Sequence, residues 1–316
     1  MKLSAIICSH EPRPDYLEAT LASIRAQTGL SKDCCWELLL IDNGSRTPLA
    51  GKFDVTWHSR ARIIREERLG LTFARLRGFH ESTGEVLVYI DDDNILKQDY
   101  FAQVLSLFSA HEGYGAIGGK SLPVYEVEPP RWFAETGISL ACRDLGDQPI
   151  VAEWTRAGEH QRDYPGCAPI GAGMAVRRAA YAGYVHAAAN DPRRTSLGRR
   201  GTDLASGEDN DMILSVLEQS WQVAYRPELI LQHLIPARRL TQPYLEAYAR
   251  SSNRTWVQVL DVHGMRPWSP IAPWTAPLRK LRAALRARPW YSPPASIRWH
   301  GSAGLIEGRA QLSRSA

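Results

Sequence analysis

Val86-Leu87-Val88-Tyr89-Ile90, followed at once by Asp91-Asp92-Asp93, is the stretch on which the reading turns. Five successive largely apolar residues leave no wet face, so the segment reads as a central strand of a parallel sheet, covered on both sides. Three adjacent carboxylates at the end of such a strand repel one another and call for a counter-charge. Hard divalent cations take oxygen ligands, and Mg²⁺ usually binds one or two carboxylates together with substrate phosphates. Alternation along a strand directs Asp91 and Asp93 to one side and Asp92 to the other, so the pair can address a nucleotide and its metal together. The bland alternative is a solvated acidic loop capping the next helix.

Working outward, Leu3 to Cys8, Glu37 to Ile41 and Ala61 to Arg65 read as three more strands. Helical spacing over 14 to 28 and over Leu71 to Glu81 separates them, and Asn43-Gly44-Ser45 and Thr83-Gly84 are stop signals. Gln98 to His111 reads as a helix, and Tyr114 to Ile117 as a short strand stopped by Gly118-Gly119. Strands alternating with helices imply βαβ units and a parallel, Rossmann-like α/β sheet flanked by helices. Ligands of such sheets bind beyond the carboxyl ends of the strands. That rule selects Ser9-His10-Glu11, Asp42, Glu66 to Gly70, and Asp91 to Asn94. Residues 121 to 165 are irregular and rich in Pro and Trp, as functional loop regions often are. Order returns over Ala168 to Arg177, a helix at Asp209 to Gln219, strand-like Val223 to Tyr225 and Leu229 to Gln232, and a helix at Gln242 to Leu260. The tail from Pro267 is rich in Pro, Trp and Arg.

Composition narrows the class. Among 316 residues, 44% are apolar and 23% charged, ordinary for a globular protein. No uninterrupted apolar run approaches the ~18 residues of a membrane span. Polar Ser9-His10-Glu11 follows the apolar start directly and no small-residue cleavage site is present, so residues 3 to 8 read as a strand rather than a signal peptide. Five cysteines, with Cys34 and Cys35 adjacent and no C-x-x-C spacing, suit neither zinc nor a disulfide framework, and point to a reducing cytoplasm. A net charge of +4 is too mild to suggest a nucleic-acid partner. Residues 278 to 288 nevertheless carry five positive charges and no negative one, with Leu278, Leu281 and Leu285 on one helical stripe. Such a segment reads as a helix lying on an anionic membrane surface, at the inner face. The plainer reading is a packed terminal helix with a solvated basic side, or a subunit contact in a homodimer.

The order of motifs resembles family 2 inverting glycosyltransferases of the GT-A fold, bacterial and non-processive members in particular. The matching pieces are Ser4-Ala5-Ile6-Ile7-Cys8-Ser9, Leu40-Ile41-Asp42-Asn43-Gly44-Ser45, Gly70-Leu71-Thr72-Phe73-Ala74-Arg75, and Thr83-Gly84-Glu85 running into Asp91-Asp92-Asp93. Ser206-Gly207-Glu208-Asp209 and Gln232-His233-Leu234-Ile235-Pro236 continue it, and it fades after about residue 250. No Gln-x-x-Arg-Trp motif is present, which fits addition of a single sugar. The resemblance implies a nucleotide-sugar-binding half over 1–120, an acceptor-binding and catalytic half over 121–240, and a C-terminal helical extension over 241–316.

It also implies roles. Ser9, His10, Glu11, Asp42, Asp91 and Asp92 would line the nucleotide site. Arg68, with Arg75 or Arg77, would approach the base or diphosphate; each arginine reads otherwise as a solvated charge. Asp93, with Asp91, would hold Mn²⁺ or Mg²⁺, and His233 is either a further ligand or a structural histidine. Gly171, Ala172 and Gly173 would lie beside the donor sugar, or form a tight turn into a core strand. Trp132 and Trp154 either stack on sugar faces or pack. Asp209 would be the catalytic base, with Glu208 as the alternative; the same residues suit a helix start capped by Ser206, with its acids complementing the dipole. The expected donor is a UDP-sugar, and the acceptor a glycan, a lipid-linked sugar or a small molecule. A nucleotidyltransferase is the competing enzyme class, but Ser9-His10-Glu11-Pro12-Arg13 lacks its glycine-rich loop. A non-catalytic nucleotide-sugar-binding module, or a hydrolase of the donor, completes the alternatives.

Overall fold

A computed structural model of the chain describes residues 1–31, 35–154 and 162–312, so Cys34 lies outside the described residues. In chain order the elements are β1 (Leu3–Ser9), α1 (Pro14–Arg25), β2 (Trp36–Asn43), β3 (Ala61–Glu66), α2 (Leu71–Glu81), β4 (Val86–Asp91), β5 (Asn94–Leu96), α3 (Tyr100–Ala110), β6 (Tyr114–Tyr125), β7 (Ile150–Ala152), β8 (Ala175–Arg177), α4 (Arg178–Asn190), α5 (Pro192–Thr195), α6 (Glu208–Glu218), β9 (Gln222–Ile235), α7 (Gln242–Val262), α8 (Ala276–Ala287) and α9 (Pro293–Leu312). They fall into two compact units. The first comprises Met1–Val124, Ala141–Asp191 and Met212–Leu234; the second comprises Tyr125–Leu140, Pro192–Asp211 and Ile235–Ala316.

The first unit is built on one sheet, ordered β3-β2-β1-β4-β8-β6-β9-β5, with β7 paired to β9. β3, β2, β1 and β4 run parallel. β8 runs antiparallel to β4 and β6, and β5 antiparallel to β9. Cover on both faces explains why β1, β2 and β4 carry no wet side, whereas β3 at the edge is half-buried. Leu3, Ala5 and Ile7 join Leu38 and Leu40 in a core layer that includes Leu17 and Leu21 of α1 and Phe101 and Phe108 of α3. Ile6 joins Leu39, Ile41, Leu87 and Tyr89 in the opposite layer, with Leu76 of α2, Tyr181 of α4 and Met212 of α6. This is the mostly parallel α/β architecture that the buried strand 86 to 90 predicts. Two local expectations change. β6 does not stop at Gly118-Gly119; a Cβ at Gly119 would stand 2.0 Å from the Leu229 carbonyl oxygen, so glycine there admits a neighbouring backbone rather than ending the strand. β9 is a single strand through Pro227 instead of two pieces.

In the second unit α7 packs along α9. α9 escapes a reading by periodicity because its inner face is made of small residues. Gly301 faces Asn253, Gly308 faces Val257, and a Cβ on Gly304 would lie 2.0 Å from the Arg250 carbonyl oxygen. The Arg250 guanidinium pairs with Glu307 across the same contact. Among the described residues no helix is long and apolar enough to cross a membrane.

Candidate active site

The sheet register brings three strand ends to one rim. Ser9 stands opposite Asp42, and Cys8 opposite Asp91. Ser9 Oγ donates to the Asp92 carboxylate. His10 Nδ1 lies 2.8 Å from the Asn43 carbonyl oxygen, so that nitrogen carries the proton. Glu11 has a left-handed φ of 49°, and its carboxylate accepts the Arg46 N–H while its own N–H donates to Ser45 Oγ. Asp42 is buried with both oxygens engaged: Ser45 N and Leu49 N donate at 3.1 Å each, and Arg65 Nη1 at 2.9 Å. Burial alone would raise the Asp42 pKa; these donors outweigh it and hold the carboxyl below its ordinary value. Its carboxylate therefore organises the loop that follows β2.

The acidic run itself forms the turn between β4 and β5. Asn94, buried, accepts the Asp91 N–H on Oδ1 at 3.1 Å and donates from Nδ2 to Asp93 Oδ1 at 3.2 Å. Antiparallel pairing of β5 with β9 sets Asn94 opposite His233, and Leu234 N donates to the Asp93 carbonyl at 2.8 Å. His233 Nε2 consequently lies 3.3 Å from Asp93 Oδ1, with Nδ1 3.8 Å from Cys142 Sγ. His233 is 2% exposed and Asp93 5%. Burial pulls the His233 pKa down, but the Asp93 charge prevails and pushes it up to about 10. Among the described residues no three His, Cys, Asp or Glu side chains stand ready to enclose an ion. A cation there would have to displace the His233 proton, and Asp93 with the neutral imidazole is then a partial donor set, since Mn²⁺ and Mg²⁺ leave much of their shell to phosphate oxygens and water.

The other predicted binding residues divide by environment. Arg68 is exposed on the rim, paired with Glu66 at 2.9 Å and lying 4.8 Å from the Phe73 ring centroid. Arg75 is buried over the Tyr89 ring, while Arg77 is half-buried and paired with Glu81 at 3.0 Å. Gly171, Ala172 and Gly173 are buried. Gly173 has φ 69°, accepts the Tyr100 hydroxyl at 2.6 Å, and a Cβ there would meet Leu231 at 2.4 Å, so at that position the close neighbour is the core. Trp154 is half-buried and donates to the Asp163 carbonyl at 3.1 Å, with Arg162 over its ring; Trp132 is half-buried.

In the second unit, Glu208 and Asp209 begin α6. Glu208 is buried and Asp209 half-buried. Asp209 Oδ1 accepts the Asn210 N–H at 3.0 Å. Ser206 Oγ makes no capping bond to this helix. Asp211, two residues on, is fully buried: it accepts from the Arg194 guanidinium and stands 2.7 Å from His263 Nε2. Those bonds tie the first turn of α6 to α5 and to the residue that ends α7. Tyr248 of α7 lies within electrostatic range of Asp209; loss of water raises its phenol pKa first, and the Asp209 charge adds to that against Arg199.

The model for the family described as glycosyl transferase family 2 matches residues 4–183, more than half of the chain. The chain belongs to glycosyl transferase family 2. It is therefore a glycosyltransferase, as its motif order predicts. A glucosyl-dolichyl phosphate glucuronosyltransferase of Haloferax volcanii is 22% identical over 246 residues, covering 74% of this chain and 69% of that protein. Among solved structures, the mannosyltransferase PcManGT from Pyrobaculum calidifontis, in complex with GDP-Man and Mn²⁺, aligns with a TM-score of 0.56 at 14% identity, over 99% of this chain and 86% of its own. S. aureus TarS 1-349 in complex with UDP aligns with a TM-score of 0.51 at 12% identity, over 100% and 92%. At such identities these two structures establish the shared GT-A type fold.

Three residues of this family 2 glycosyltransferase received no role of their own in the sequence reading, although Asn43 stood in a turn signal and Asn94 at the selected rim. Asn43, buried, donates to the Arg68 carbonyl and accepts the Gly70 N–H, both at 2.8 Å, which stitches the loops after β2 and β3 together. Asn94 and Tyr248 are the others. The signal for Asn43 and Asn94 was present: an Asn beside a strand-end Asp is a frequent turn former. Tyr248 offered none, because it sits in the ordinary helical pattern of α7.

Proposed function

We propose that this glycosyltransferase moves one sugar, with inversion at the anomeric carbon, from a nucleoside diphosphate sugar to an acceptor hydroxyl. The observation carrying the reading is the buried Asp93–His233 pair at the carboxyl end of β4 in a family 2 chain. Asp93 and His233, with Asp91 two positions before Asp93, would hold Mn²⁺ or Mg²⁺. A divalent cation supplies Lewis-acid neutralisation of the departing diphosphate. Ser9, His10, Glu11, Asp91 and Asp92 bind the nucleotide, and Asp42 acts through the loop it orders. Arg68 meets the diphosphate, with Arg75 or Arg77 assigned beside it by resemblance. Gly171 and Ala172 lie beside the donor sugar, with Gly173 packed on the core behind them.

Asp209 is the base. It takes the acceptor hydroxyl proton as the oxygen bonds to the anomeric carbon and the bond from that carbon to the diphosphate oxygen breaks on the opposite face. General-base assistance of this kind contributes about 10²–10⁴-fold. Glu208, more deeply buried, supports the helix start. A UDP-sugar is the proposed donor; TarS is known with UDP and PcManGT with GDP-Man, so both bases belong in the test. The Haloferax volcanii relative is named for a reaction on glucosyl-dolichyl phosphate, and a lipid-linked acceptor is proposed here on the same grounds.

A thermal-shift screen of UDP- and GDP-sugars with and without Mn²⁺ tests the reading. Binding to the folded state raises the midpoint for the true donor. The expected result is a Mn²⁺-dependent rise with one nucleotide sugar, lost in Asp93→Ala. A rise that ignores Mn²⁺, or survives Asp93→Ala, removes the metal assignment.

A further inference from the structure

Helix α8 is built inside out. Its small residues Ala276, Ala283, Ala284 and Ala287 are buried or half-buried, together with Lys280. The helix packs on α9, where Lys280 Nζ meets Glu307 at 3.1 Å and the Lys280 carbonyl accepts Trp299 Nε1 at 3.2 Å. Its large residues turn to solvent. Leu278, Leu281 and Leu285, three and four positions apart, form one stripe. Trp274 precedes the helix, and Trp290 and Tyr291 follow it. All six side chains are exposed, from 56% at Leu281 to 83% at Trp274. A helix stabilised by water on its outer face would carry its leucines inward and its alanines outward. An exposed apolar stripe of this kind marks an interaction surface.

Charge decides what covers it. Between Trp274 and Tyr291 stand five cationic residues and no acid, and Arg279, Arg282, Arg286 and Arg288 are exposed around the stripe. A second copy related by a two-fold axis would press this patch against itself, cation on cation. A bilayer carrying anionic lipid matches every part. Leucines enter the acyl boundary, tryptophan and tyrosine sit at headgroup level, and arginines meet lipid phosphates. We propose that α8 docks the protein on an anionic membrane surface, lying flat with Leu278, Leu281 and Leu285 in the lipid. The inference does not rest on the proposed donor or base, and its readout is sedimentation rather than transfer.

The test is cosedimentation of the full chain with vesicles of phosphatidylcholine alone and of phosphatidylcholine mixed with phosphatidylglycerol. Binding is expected with the anionic vesicles only, weakening as salt rises. The double variant Leu281→Asp/Leu285→Asp should lose about tenfold or more in partition, with an unchanged thermal midpoint because both positions are exposed. Arg282→Ala/Arg286→Ala should lose about tenfold, and it decides the matter if the aspartate variant unfolds. No binding to anionic vesicles, equal binding to neutral ones, or variants that bind like the parent would each overturn the proposal. So would a parent dimer, seen in sedimentation velocity, that the leucine variant converts to monomer.

Discussion

Asp42 and Asp93 are both aspartates at strand ends of one rim, yet their neighbours divide their work. Asp42 receives two backbone N–H groups and a guanidinium, and these fix the loop that follows β2. Asp42→Asn should cost about 2–4 kcal/mol, since it leaves buried donors facing an amide. The sign of the pH effect follows from the depressed pKa. The stability Asp42 supplies is complete above its unfolded value of about 3.9 and is lost as pH falls below that through the lower folded value. Urea midpoints of parent and variant should therefore converge in acid; a constant gap would refute the assignment. Asp209 has a different environment, half-buried with Asn210 N on one oxygen. Asp209→Asn should leave the donor-induced thermal shift intact while transfer falls about 10²–10⁴-fold; normal product formation would name the wrong base.

At the scale of elements, buried polar contacts and close backbones do the positioning. Arg194, Asp211 and His263 join α5, α6 and the end of α7. Asp211→Ala takes a buried carboxylate away from the Arg194 guanidinium and the His263 ring and should destabilise by about 3–5 kcal/mol. Chemical denaturation measures it, and a loss below about 1 kcal/mol, the size of a surface pair, would mean the cluster holds nothing. In α9 two opposing effects meet at Gly304. Replacing Gly by Ala in a helix gains up to about 1 kcal/mol of propensity. The new methyl, however, would stand 2.0 Å from the Arg250 carbonyl oxygen, and overpacking costs about 1–3 kcal/mol. Gly304→Ala should thus lower the thermal midpoint, whereas Gly264→Ala, where nothing lies within 4 Å but φ is 68°, should be hurt by backbone strain alone. A stabilised Gly304→Ala would show that α7 and α9 yield easily.

Over the whole molecule, what could be read in advance was whatever burial imposes locally. The strands 3–8, 37–41 and 86–90 are largely apolar because both faces are covered, and that property is printed residue by residue; 61–65, at the sheet edge, is half-buried. The acids Asp91 to Asp93, and Glu208 with Asp209, stand out for the same reason, as charges set against apolar surroundings. Helices α4 and α9 were not legible because alanine and glycine carry little periodic contrast, and β6 because Gly118-Gly119 looks like a stop until β9 lies beside it. Pairing was the larger omission. Asp93 meets His233 only because β5 pairs with β9 in one register, and Asp211 meets His263 only because α6 and α7 converge. The outward stripe of α8 likewise depends on which of its faces α9 covers. The amino-acid order by itself thus determined the parallel half of the sheet, its acidic rim and the family, since each follows from short-range pattern. Tertiary structure alone decided which acids are spent on the fold, which two face an imidazole, and which leucines meet solvent, because register and packing join residues that no local pattern relates.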